Sequence, residues 1–199
     1  QQPGGNLVRN GDFNLKDLQG MPRHWSVQNV QFDTGRDLIR LEAAEDNGHF
    51  VRIHYAGKPV VDKRKYTTGA KQEGWLKNRL SPYAVQLCRG KRVKVSCAIR
   101  INNVESVQGK PVLMLVQTIR GIPETVAEVP AVLVFGAPGD PTDGRVQASQ
   151  SNAWLTMESY ANVSEKAEIL EIVFWTARGE NPVVADVDDF SLTLAAGGT

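Results

Sequence analysis

Cysteine is scarce: Cys88 and Cys97 are the only two in 199 residues. That excludes a disulfide-stapled scaffold, and the pair lacks zinc-ligand spacing. No apolar run approaches the roughly 18–20 residues that a membrane-spanning helix needs. No charge predominates either, with 23 Lys/Arg against 22 Asp/Glu. The near-neutral balance argues against a polyelectrolyte chain and against general nucleic-acid binding. Phosphate-binding loops and nucleophile elbows are missing, and His24, His49 and His54 show no metal-ligand spacing. The opening Gln1-Gln2-Pro3-Gly4-Gly5 has no basic n-region or apolar h-region and looks like the polar start of a mature or trimmed protein, which permits the expected secreted or cell-surface location.

What is present is an ordinary globular composition, 41% hydrophobic, punctuated by 18 glycines and 10 prolines. No linker-like stretch divides the chain, so one domain over residues 1–199 is expected, large enough to bury roughly 70% of its unfolded surface. Charge is unevenly spread: residues 1–99 hold 17 Lys/Arg and 9 Asp/Glu, residues 100–199 hold 6 and 13. Either the basic half meets an anionic partner, or the halves interleave and pair with each other.

Strand patterns dominate. Val93 to Ile101 alternates apolar with polar or small residues, and Val51, Ile53 and Tyr55 alternate with Arg52, His54 and Ala56. Leu38 to Leu41, Tyr83 to Leu87, Val112 to Ile119, Val129 to Phe135 and Trp154 to Val163 are further candidates. Ser164 to Val173 can be read as a capped helix, but the β-branched and aromatic run Ile172 to Thr176 favours a buried strand. About nine or ten short strands without a long amphipathic helix predict an all-β sandwich or barrel. The Cys…Trp…Cys arrangement of immunoglobulin domains is absent. If Arg89 to Arg92 closes a hairpin, Cys88 faces Val93 and Cys97 faces Ala84, which rules out a bridge between the thiols.

Lys58 to Arg79 reads as a long loop carrying seven basic residues, two acids, Tyr66 and Trp75. Loops of that length inside a domain are commonly functional or disordered.

The chain's two ends are specific. Asn6-Leu7-Val8-Arg9-Asn10-Gly11-Asp12-Phe13, followed by Pro22 and Trp25, resembles the opening of carbohydrate-binding modules of the family 4, 9 and 22 group. Val187-Asp188-Asp189-Phe190-Ser191-Leu192 resembles their closing strand, and Val85 to Ser96 looks like their strand, Gly-Lys turn and strand. The resemblance covers nearly the whole chain. It implies an antiparallel two-sheet jelly roll with a sugar cleft and often a structural calcium ion. Asn14 stands where the family has an acid after the Phe, a departure that weakens the carried-over calcium site.

Asp186 and Asp188 share parity with Phe190, Leu192 and Leu194, so a regular strand would aim two carboxylates at the core. Calcium held by Asp188 or Asp189 with Asp12, Asn14 and carbonyls would resolve that conflict. A bulge turning the acids outward, or pairing with Arg9, would resolve it too. For sugar binding, Trp75 with Tyr66, Tyr83, Arg79 and Lys77 offers a stacking face and polar partners, while Trp25 and Trp175 read as packing residues. Arg52, His54, Lys94, Arg100, Gln86 and Gln117 lie on polar parities that could line a cleft or a solvated face. The expected function is non-catalytic binding of a polysaccharide or glycan, with an acidic one favoured by the basic stretch. A protein-interaction module of the same fold is the alternative. A glycosidase or lyase is a weaker one, since no carboxylate pair is singled out.

Overall fold

The structure, a computed structural model, describes residues 5–29, 38–45, 48–55, 73–101, 111–131, 152–177 and 183–195. Its strands are β1 (Trp25–Asn29), β2 (Leu38–Ala43), β3 (His49–Tyr55), β4 (Glu73–Arg79), β5 (Arg92–Ile101), β6 (Pro111–Ile119), β7 (Ile122–Pro130), β8 (Leu155–Asn162), β9 (Ile169–Ala177) and β10 (Val183–Leu194). The helix among the described residues, α1, runs over Pro82–Cys88. Two five-stranded sheets form, ordered β1-β4-β9-β6-β7 and β2-β3-β10-β5-β8, with every strand pair antiparallel. The expected all-β sandwich is therefore present.

The inner faces carry the alternation that marks the strands. In β5 the odd residues from Val93 to Ile101 are buried, and in β9 Leu170, Ile172 and Phe174 are buried against them in one core. Each such side chain contributes ~1.5–3 kcal/mol by leaving water. β9 is the central strand of the first sheet, which explains why Ile169 to Ala177 is a strand and not a capped helix.

The N-terminal segment lies along β10. Leu7 N donates to Leu192 O (2.9 Å), Phe190 N donates to Gly11 O (3.0 Å), and Asn6 Nδ2 donates to Phe190 O (2.9 Å). Asn10, at φ 54°, folds the following turn: its Oδ1 accepts from Leu15 N, and its Nδ2 donates to Leu15 O and Arg23 O. Its carbonyl accepts from Trp25 Nε1 (2.8 Å). Phe13, Trp25, Phe174 and Phe190 then pack as one aromatic cluster, with centroid separations of 4.7–6.2 Å. Trp25 is thus a packing residue, as expected.

Three local expectations are corrected. Tyr83 to Leu87 is helical: Pro82 begins α1, the Ser81 side chain accepts from Ala84 N (3.2 Å), and Ala84, Val85 and Cys88 form its buried stripe. Cys88 and Cys97 consequently do not flank a hairpin. Cys97 instead pairs with Met157, and both thiols are free and buried. Second, the C-terminal part of the expected Lys58–Arg79 loop is β4, an inner strand of its sheet; residues 58–72 lie outside the described residues.

Third, the register of β10 shifts between Asp188 and Ser191, with Asp189 at φ 50°. This bulge reverses the parity, so that Ala185 and Val187 point inward before it and Phe190 and Leu192 after it. Asp186 therefore lies on the outer face, paired with arginine and not aimed at the core. The ion pairs Arg52–Asp186, Lys77–Glu171, Arg79–Glu171 and Lys94–Glu158 each join a cation from the first half to an acid from the second. Part of the charge asymmetry is thus interleaving, among the described residues.

Candidate functional site

Leu76 and Asn78 of β4, with Leu80 just beyond it, turn inward, which leaves Trp75, Lys77 and Arg79 on the outer face of the first sheet. β9 alternates in the same way, placing Glu171, Val173 and Trp175 on that face. The register sets Trp75 opposite Trp175, Lys77 opposite Val173 and Arg79 opposite Glu171. Glu171 is clasped by both cations, at 3.2 Å from Arg79 Nε and 3.5 Å from Lys77 Nζ. Lys77 Nζ also stands 5.3 Å over the Trp75 ring. The Trp75 Nε1 edge is buried without a hydrogen-bond partner among the described residues, so the ring can offer a ligand its face but not its N–H. Beyond β9, Val112 of β6 faces Trp175. This face joins two indoles, a carboxylate and two cations, with net charge +1 across Lys77, Arg79 and Glu171.

The sequence points to Trp75, Lys77 and Arg79 but makes Trp175 a packing residue. Trp175 is only half-buried and belongs to the outer face, together with Glu171. The alternation Glu171, Val173, Trp175 was the available signal, hidden because β9 is apolar on both faces.

Other expected site residues lie elsewhere. Arg52 is on β3, in the second sheet, whose outer face points away from the Trp75 face. His54 is on the same strand, but its side chain lies outside the described residues, as does Tyr66 entirely. Tyr83 is exposed on α1. Gln117 turns inward and is committed: Nε2 donates to Glu124 Oε2 (3.0 Å), and Oε1 accepts from Ser164 N (3.0 Å). A single cleft shared by Trp75, Arg52 and Gln117 is therefore not formed.

Around β10, Asp12 and Asp189 line one pocket of about 360 Å³ with Asn6, Asn10 and Gly11. Asn14 Nδ2 donates to Asp12 Oδ2 (3.0 Å), and Asp188 Oδ1 accepts from Asp189 N (2.8 Å). Calcium takes six to eight oxygen ligands. Asp12 and Asp189 line this pocket, with both Asp12 oxygens accepting from Asn14, while Asp188 accepts from its neighbour's backbone.

On the second sheet's outer face Asp186 is 4% exposed and clamped between two guanidiniums. Arg52 Nε and Nη2 donate to its Oδ1 and Oδ2 at 2.7 and 3.0 Å; Arg100 Nε and Nη2 both donate to Oδ2 at 3.0 and 2.7 Å. The hydrogen bond to Asp186 raises the Arg52 pKa above its ordinary value.

No protein-family profile and no curated protein matches the sequence. Among solved structures, a family 61 carbohydrate-binding module in complex with β-1,4-galactotriose superposes with a TM-score of 0.52 at 11% identity, over 96% of this chain and 99% of its own. A family 22 xylan-binding domain from Paenibacillus barcinonensis superposes at 0.51 and 10% identity, over 100% and 99% of the two chains. Part of a bacteriophage CBA120 tailspike protein, 21% of its length, matches 96% of this chain at a TM-score of 0.55 and 11% identity. The chain shares its jelly-roll sandwich with carbohydrate-binding modules.

Proposed function

We propose that the protein is a non-catalytic carbohydrate-binding module that holds a polysaccharide on the outer face of the first sheet. The observation carrying this reading is the Trp75–Trp175 pair across β4 and β9, with Lys77, Arg79 and Glu171 beside it. Pyranose rings stack their apolar face on aromatics while their hydroxyls bond to charged and amide groups. Lys77 and Arg79 outweigh Glu171 by one charge, which favours a uronate or sulfate on the glycan, and a guanidinium can bind such a group through two parallel hydrogen bonds. The shared fold supports a sugar ligand, and a polysaccharide ligand goes with a secreted or cell-surface location. A structural calcium ion at Asp12 and Asp189 belongs to the same proposal, supported by the pocket these two carboxylates share.

The test is calorimetry with oligogalacturonate at low and high salt. Binding that weakens with salt and falls by roughly 1–3 kcal/mol in Trp75→Ala is expected. Undiminished binding by that variant, or affinity indifferent to salt, would overturn the proposal.

A further inference from the structure

The register of the second sheet lines up Arg40, Arg52, Asp186 and Arg100 across β2, β3, β10 and β5, and Trp154 leads into β8 beside them. Phe50, two residues before Arg52 and so on the same side of β3, is buried at 6% exposure beneath this row. The Arg52 and Arg100 guanidinium carbons stand 5.3 and 5.2 Å from its ring centroid. Trp154 meets the Phe50 ring edge-on at 6.0 Å and carries Arg100 at 4.7 Å over its own ring, yet stays 41% exposed. Phe50, Arg52, Arg100 and Trp154 border a groove of about 550 Å³ whose far wall is Glu42 to Glu45. That volume is within the range of small-molecule sites.

Two properties make this groove a built site. Its donors are fixed, because the Asp186 clamp uses Nε and Nη2 of both arginines, locking each guanidinium plane, while Nη1 of each stays outside the clamp. Its charge is also mixed: across the row and the far wall, Arg40, Arg52 and Arg100 are balanced by Asp186, Glu42 and Glu45, a sum of 0. An anion gains little there. A neutral polyol gains from both sides, because each hydroxyl can accept from a guanidinium and donate to a carboxylate, while the indole offers an apolar face.

We infer that this groove is a second carbohydrate site, selective for a neutral pyranoside, on the face opposite the Trp75 site. It rests on the reading that the protein binds glycans but differs in ligand charge. Because the two outer faces point apart, one chain cannot lie across both, so a doubly occupied module would bridge two glycan chains.

Indole N–H resonances, assigned by single Trp→Phe variants, would be followed while the full chain is titrated with β-1,4-galactotriose and, separately, with xylohexaose. With at least one of them the Trp154 signal should shift saturably, and Trp75→Ala should leave that shift unchanged. Trp154→Ala should weaken calorimetric binding of the same sugar about tenfold or more, and Glu42→Gln, which keeps the shape, should weaken it several-fold. The inference fails if neither sugar moves Trp154 at millimolar concentration, or if Trp75→Ala abolishes the movement. Oligogalacturonate binding, read in parallel on Trp75, reports the first site independently, so either site can fail alone.

Discussion

Gly11 is backed directly by the carbonyl group of Phe190, where a Cβ would overlap the backbone oxygen. The close approach lets Gly11 O accept from Phe190 N and ties the N-terminal segment to the β10 bulge. Gly11→Ala should therefore destabilise the protein by about 1–3 kcal/mol or more, since backbone on both sides must shift. Denaturant midpoints of the variant and the parent would check this. An unchanged midpoint would mean that the segment does not lie along β10.

That contact also shows what the sequence made legible. The run Asn10-Gly11-Asp12-Phe13 could be matched to a fold because each residue does a local job: a left-handed turn, a close approach, an exposed acid and a core ring. Strands such as β5, with one wet face and one dry face, were equally readable. β4 was not, because its inward parity contains Asn78, a fully buried amide that donates to Arg9 O and His24 O. A polar residue on the apolar parity erases the period-two signal. The bulge at Asp189 could be offered only as one alternative for Asp186 for a related reason, since one inserted residue reverses every side chain beyond it. The two candidate faces depend on sheet order, which brings together residues about 50 to 130 positions apart and leaves no trace in local pattern.

Burial raises the Cys88 thiol to about 11 and pushes Cys97 up further. Both should resist alkylation in the folded protein at pH 8, where a pKa of about 11 leaves roughly one thiol in a thousand ionised. The folded state holds these protons more tightly, so its advantage is complete below the ordinary thiol pKa and shrinks as pH rises above it. Iodoacetamide labelling should track denaturant unfolding, and the urea midpoint should fall between pH 8 and pH 10. Rapid labelling without denaturant would contradict the burial.

Calcium bound by Asp12 and Asp189 would stabilise only the folded state, so the thermal midpoint should rise with added calcium and return with EDTA. Asp189→Asn should remove the response while leaving the calcium-free midpoint nearly unchanged, because the side chain is exposed. A midpoint that ignores both calcium and EDTA would remove the ion from the proposal.

Glu171 supplies the sharpest test of how the Trp75 face treats charge. It holds Lys77 and Arg79 at once, so part of the positive potential that would meet an acidic glycan is spent within the protein. Glu171→Gln keeps the length and an acceptor for Arg79 but removes the charge, raising this trio from +1 to +2. Exposed pairs of this kind are worth about 0.2–1 kcal/mol. Oligogalacturonate should therefore bind tighter by roughly up to fivefold, with a steeper loss on adding salt. Neutral oligosaccharides should not follow. Calorimetry on the variant at two salt concentrations separates the outcomes. Weaker acidic binding would mean that Glu171 itself contacts the sugar, and unchanged binding would mean that Lys77 and Arg79 stand outside the site.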